Sequence, residues 1–147
     1  MASAEPTQPY VGELMVLCLV QPFDFQNAYA VAVSGASWNP CGHMLLNTGG
    51  RGGWYFHVAE RKGQPRFMRE AGYHRYLTEH GKRELRRTHV PIPNPDGAHS
   101  KLEQLLATQW RWFVLPNNCA SFVEDVVRAG GSTAGLYSNC PSREQFN

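Results

Sequence analysis

Three side chains of this 147-residue sequence carry the means for nucleophilic chemistry: His43, His57 and Cys119. Cys119 follows two asparagines in "NNCASFVEDVVRAGG", residues 117–131, at the head of an amphipathic run. Aligned amides and the positive end of a helix dipole favour the thiolate at such a place. A thiol nucleophile needs a base within hydrogen-bond reach, and that imidazole needs a partner holding its other nitrogen in the right tautomer. His43 is expected to be the base and His57 the orienting residue. The Cys119 thiolate would then attack an amide or ester carbonyl, and water would release the acyl-enzyme. The Cys119 amide could supply one oxyanion donor and the side chain of Asn118 or Asn39 another, while Trp38, Asn39 and Arg51 could grip a peptide. The competing role for Cys119 is that of a small apolar side chain filling a core helix.

The elements that must position these residues are read from periodicity. Cys119, Phe122, Val123, Val126 and Val127 recur at the spacing of a buried helical stripe, with Asn118 as N-cap and Gly130 as the stop. "HMLLNTGG" and "GWYFHVAE" predict an antiparallel hairpin around "GGRGG", and alternation puts His43 with Leu45 and His57 with Tyr55. "NAYAVAVSG" and "ELRRTHV" predict two further strands, and "ELMVLCLV" a buried one. A short helix is predicted within Met68–Glu79, burying Tyr76 and Leu77 and ending at Gly81. "PIPNPDG" reads as a connector, after which Ser100 and Glu103 form a capping box ahead of Leu102, Leu105, Leu106 and Trp110. Tyr137 and Phe146 are expected to dock the tail. The class is α+β, an antiparallel sheet packed against helices, with residues 1–147 forming a single domain.

Taken together, "GHMLLNTGGRGGWYFHVA" and "NNCASFVEDVV" resemble the circularly permuted branch of the papain-like, NlpC-type cysteine hydrolases, which includes the lecithin retinol acyltransferase-like enzymes. The resemblance spans roughly residues 40–130. It implies a papain-like hydrolase fold with His43 as general base, His57 as orienting residue and Cys119 as nucleophile. It also implies a thiol amidase or peptidase acting on a peptide or a peptidoglycan cross-link. Two alternatives stand beside that expectation: a lipid acyl hydrolase, acyltransferase or thioesterase, and a non-catalytic binding domain of the same fold. No cofactor is required by this chemistry.

Other sequence features set bounds. Cys41-Gly42-His43 with Cys119 and Cys140 could ligate a metal, but the scattered spacing lacks a compact zinc signature, so no metal is expected. Four cysteines in a chain this long permit disulfides without demanding them. The formal charge is +2, yet nine of the 14 Lys and Arg fall between residues 61 and 87: Arg61, Lys62, Arg66, Arg69, Arg75, Lys82, Arg83, Arg86 and Arg87. That segment is a candidate surface for an anionic partner, and no nucleic-acid module accompanies it. His74, His80, His89 and His99 have no comparable arrangement and are expected to be structural or exposed. The first ten residues lack the pattern of an export signal, and Leu14–Val20 is too short to span a bilayer. The expected location is the cytoplasm or, as for bacterial effectors, the destination of a non-classical secretion system.

Overall fold

The hairpin of β3 (His43–Thr48) and β4 (Trp54–His57) forms the middle of a six-stranded antiparallel sheet. The structure is a computed structural model that describes residues 9–14, 23–35, 40–58, 65–107, 118–137 and 140–147, without the side chains of 106, 107, 118 and 119. Thr48 pairs with Trp54, and the turn between them needs its glycines. Gly49, Gly50 and Gly52 all have positive φ, and Asn47 Nδ2 ties the turn by donating to the carbonyls of Gly50 and Trp54.

Outward from the hairpin, β2 (Ala28–Val33) pairs with β3, and β6 (Glu84–His89) pairs with β2. On the other side β5 (Arg66–Arg69) pairs with β4, and the two-residue β1 (Glu13–Leu14) closes that edge. The order is β1-β5-β4-β3-β2-β6. Helices cover both faces, which is why β2 and β3 read as nearly continuous apolar runs.

Alternation assigns each residue to one of two layers. Ala30, Ala32, Met44, Leu46 and Phe56 face α2 (Pro95–Ala107) and α3 (Asn118–Ala129), whose Ala98, Leu102, Phe122, Val123, Val126 and Val127 complete the larger core. Val31, Val33, Leu45, Tyr55 and Met68 face α1 (Glu70–Glu79), which adds Tyr73 and Tyr76. The valines of α3 are poor helix formers, and burial against the sheet holds them in the helix.

Several expectations are corrected here. Within "ELMVLCLV" the described residues, Glu13 and Leu14, form an exposed edge strand, and 15–20 lie outside the described residues. Met68 belongs to β5, a strand the sequence reading omitted, and α1 begins two residues later. Helix α2 starts at Pro95, inside the expected connector: Asn94 Oδ1 accepts from Gly97 N–H, and Pro95 takes the first helical position, where it loses no bond. Ser100 and Glu103 are therefore interior to the helix. Asn118 is already helical in α3. That helix ends at Ala129, with Gly130 the stop as read; Gly131, φ +88°, then donates to Arg128 O while Ser132 N–H reaches back to Val127 O. Phe146 is buried in the larger core, but Tyr137 is 99 % exposed.

The C-terminal segment is tied to the start of β3. A disulfide joins Cys41 to Cys140, Ser142 bonds to Cys41 O and Pro40 O, and Arg86 donates to the carbonyls of Pro141, Ser142 and Glu144.

Candidate functional site

The strands bring His43 and His57 together as alternation requires: His43 Nε2 lies 2.8 Å from His57 Nδ1. His57 Nε2 lies 2.8 Å from the carbonyl of Val11, which can only accept, so Nε2 carries the proton. In a neutral ring Nδ1 of His57 must then accept, and His43 Nε2 must donate to it. The lone pair left over is Nδ1 of His43. His57 is completely buried, and Tyr76 of α1 packs edge-on against its ring at 5.0 Å. Burial pushes the His57 pKa down to about 4, against the opposing effect of the Val11 carbonyl. Burial, and then the charge of His57, hold His43 well below the usual imidazole value.

The expected thiol chemistry is overturned. Cys41 and Cys140, the cysteines whose side chains are described, are joined in a disulfide. Neither of these two cysteines is available as a free thiol nucleophile. The layers argue in the same direction. Both imidazoles lie on the α1 face, whereas α3, which carries residue 119 in its first turn, packs on the opposite face against Met44, Leu46 and Phe56. A Cys-His-His amidase or thiol protease is therefore withdrawn as the reading of this chain. The side chains of Cys119 and Asn118, and all of Trp38 and Asn39, lie outside the described residues. The imagined metal set also fails, because Cys41 and Cys140 are bonded to each other. Among the described residues no group of three or more His, Cys, Asp or Glu is placed to hold a metal ion.

What the imidazoles do hold is an extended stretch of chain. His80 Nε2 lies 3.0 Å from Tyr10 O, His57 Nε2 2.8 Å from Val11 O, and Arg66 Nη1 donates to Gly12 O at 3.1 Å. Three successive carbonyls thus meet three nitrogen donors from α1's end, β4 and β5. Glu79 Oε1 accepts from Tyr10 N–H at 2.8 Å, and the Arg75 guanidinium sits 4.4 Å from the centre of the Tyr10 ring. Glu13 and Leu14 then pair with Phe67 and Arg66 as β1. Gly12 is required where it is: its φ is +105°, and an added Cβ would stand 3.0 Å from Met68 Cγ and Phe67 O. Sequence reasoning missed His80, Arg66 and Glu79 because recognition of backbone leaves no motif in what is recognised. The one available signal was Gly12 beside an apolar run.

A second polar group lies further along the same face. Tyr55 and Tyr73 stack at 4.0 Å; Tyr55 donates to Glu70 and Tyr73 to Glu84, each at 2.7 Å. Arg87 joins them by donating to Tyr55 Oη, Glu84 and Asn47 Oδ1. Arg51, from the glycine-rich turn, lies 3.9 Å from Glu70 and 3.7 Å from Glu84. Burial pushes Glu84 up, but Arg87 and the Tyr73 hydroxyl outweigh it and hold the carboxyl below its usual range. Burial, partly offset by Arg87, raises the Tyr55 hydroxyl to about 12.

These contacts also show where much of the basic segment goes. Arg61 and Lys62 lie outside the described residues. Arg66, Lys82 and Arg86 donate to backbone carbonyls, Arg75 and Arg87 meet Glu79 and Glu84, and Arg69 lies 4.3 Å over the Trp54 ring. Among the described residues, no helix is long and apolar enough to cross a membrane. Compared with family models, characterised proteins and solved structures, the chain matches none.

Proposed function

We propose that this chain is a non-catalytic binding domain whose ligand is an extended peptide. One observation carries the reading: the carbonyls of Tyr10, Val11 and Gly12 are gripped in series by His80, His57 and Arg66, and the chain then continues as a strand on the edge of β5. Main-chain hydrogen bonds at a sheet edge supply affinity for any extended backbone, and neighbouring side chains supply selectivity. The domain's own segment occupies these donors in cis and competes with an outside peptide at an effective concentration in the millimolar range. The resemblance in residue order to the permuted papain-like hydrolases fits a domain that has that scaffold without its chemistry. The Cys41–Cys140 disulfide supports an oxidising location, which favours export over a reducing cytosol.

Fluorescence polarisation of a labelled Pro9–Leu14 peptide against the full chain tests this reading. Tyr10→Ala weakens the segment held in cis, so that variant is expected to bind the peptide several-fold more tightly than wild type. Adding Arg66→Ala should reverse the gain. No saturable binding to a folded Tyr10→Ala chain would remove the reading.

A further inference from the structure

Gly72 lies inside α1 and has no positive φ, so the helix itself would be better served there by alanine. The Tyr10 ring explains the missing side chain. A Cβ built on Gly72 would stand 3.1 Å from the Tyr10 hydroxyl oxygen and 3.2 Å from its Cε2. One turn further along the helix, the Arg75 guanidinium sits 4.4 Å from the centre of the same ring. Glu79 holds Arg75 with one carboxylate oxygen and accepts from Tyr10 N–H with the other. Gly72, Arg75 and Glu79 recur at the three-and-four spacing of one helix face, and the ring beside them packs against the smaller core.

Gly12 is read in the opposite sense, by the exclusion of any side chain. It is buried with φ +105°, and an added Cβ would meet Met68 Cγ and Phe67 O at 3.0 Å and Arg66 Cβ at 3.2 Å. Phe67 is paired with Phe56 of β4, so its carbonyl cannot retreat without loosening the sheet. Val11 between the two positions is half-buried and is held by its carbonyl. Glu13 and Leu14 are exposed and pair through their backbone.

We propose that the site selects its peptide by a short pattern, an aromatic residue, then any residue, then glycine. The ring lies on Gly72 beside Arg75, and the glycine passes against Met68 and Phe67. The carbonyl donors hold any extended backbone, and these two positions decide which backbone is held. Burial of the ring favours binding by about tenfold, and a left-handed alanine at the glycine position opposes it by about the same factor. This selectivity rests on the peptide-binding reading.

Competition on the full Tyr10→Ala chain, whose own segment is weakened, tests the pattern. Labelled Pro9–Leu14 peptide is displaced by the unlabelled parent or by versions carrying Tyr10→Ala, Val11→Ala or Gly12→Ala. The Tyr10→Ala and Gly12→Ala peptides are expected to compete about tenfold less well than the parent, and the Val11→Ala peptide within about threefold of it. Adding Gly72→Leu to the chain fills the seat of the ring with a good helix former. The advantage of the parent over its Tyr10→Ala version should then shrink to about threefold or less. Hydrogen exchange gives the same comparison in cis. Relative to β2 and β3, amides 10–14 should lose about tenfold in protection in full chains carrying Tyr10→Ala or Gly12→Ala, and far less with Val11→Ala. Where the labelled peptide binds and all versions compete within about threefold of one another, the pattern is overturned and the binding reading stands. Where no peptide binds, the binding reading falls and exchange decides the pattern for the chain's own segment. Equal protection in the three chains then overturns it.

Discussion

His57 donates its Nε2 proton to the carbonyl of Val11, 46 residues away, and accepts at Nδ1 from His43 at 2.8 Å. Two imidazoles and one carbonyl thus form a chain of bonds whose direction is set by the carbonyl, which can only accept.

Global stability should follow the state of this pair. The folded-state value of His57 is about 4 against 6.5 for an ordinary imidazole, so between those pH values the unfolded chain binds more protons than the folded one. The stabilisation from a neutral His57 is complete above pH 6.5 and is lost as pH falls toward 4. The shift corresponds to about 3 kcal/mol. Urea unfolding at pH 7.5, 6, 5 and 4 should show that decline, and His57→Gln should flatten it. A wild-type curve level down to pH 4 would refute the burial of a neutral ring.

The Cys41–Cys140 bond should act independently of the imidazoles. It closes a loop between positions 99 apart, which in the chain-entropy account stabilises the fold by roughly 4.7 kcal/mol. Cys140→Ser is expected to lose about 2–4 kcal/mol, less than the full figure where Arg86 still grips the tail. Its loss with pH should parallel that of wild type. A different slope between pH 6.5 and 4 would mean that the two features are coupled.

The hairpin and its consequences were legible in the sequence because period-two alternation survives folding: His43 with Leu45 and His57 with Tyr55 share a face as read. The helix of Val123, Val126 and Val127 was legible for the analogous reason. Alternation gives relative faces along one strand, and it does not say which helix covers which face. That missing fact puts α3 and the imidazoles on opposite faces, while the thiol reading itself is overturned by the Cys41–Cys140 bond. Helix α2 was placed six residues late because Ser100 and Glu103 imitate a start, whereas the true cap, Asn94, hides among prolines. The grip on Tyr10–Gly12 was illegible for a different reason: a carbonyl is the same in every residue.

Two glycines of the hairpin turn should respond very differently to alanine. At Gly52, φ +86°, a Cβ meets nothing within 4 Å, so the cost is that of a left-handed alanine, about 1–2 kcal/mol. At Gly53 the same atom would sit 2.0 Å from Thr48 O, a backbone oxygen fixed by the β3–β4 pairing. Gly53→Ala must spread the hairpin and should cost about 3 kcal/mol or more. Thermal melts of both variants make the comparison, and equal losses would count against the turn geometry.

The Arg87 cluster offers a further test outside the apolar core. Its side chain is 13 % exposed and donates to Glu84, Tyr55 Oη and Asn47 Oδ1. Arg87→Met keeps the stem and removes the cation, leaving the partly buried Glu84 with the Tyr73 hydroxyl and the more distant Arg51. Loss of one partner from a buried pair costs about 3–5 kcal/mol, and partial solvent access to Glu84 reduces this to about 2 kcal/mol. With Arg87 gone, burial dominates at Glu84 and its pKa should rise, so the variant loses the wild type's preference for an ionised carboxylate. Adding Glu84→Gln should restore part of the stability, because an amide tolerates the site without a cation. Urea unfolding of the two single variants and the double gives the coupling directly. A double variant no more stable than Arg87→Met would show that the guanidinium acts through Tyr55 and Asn47 rather than through the carboxylate.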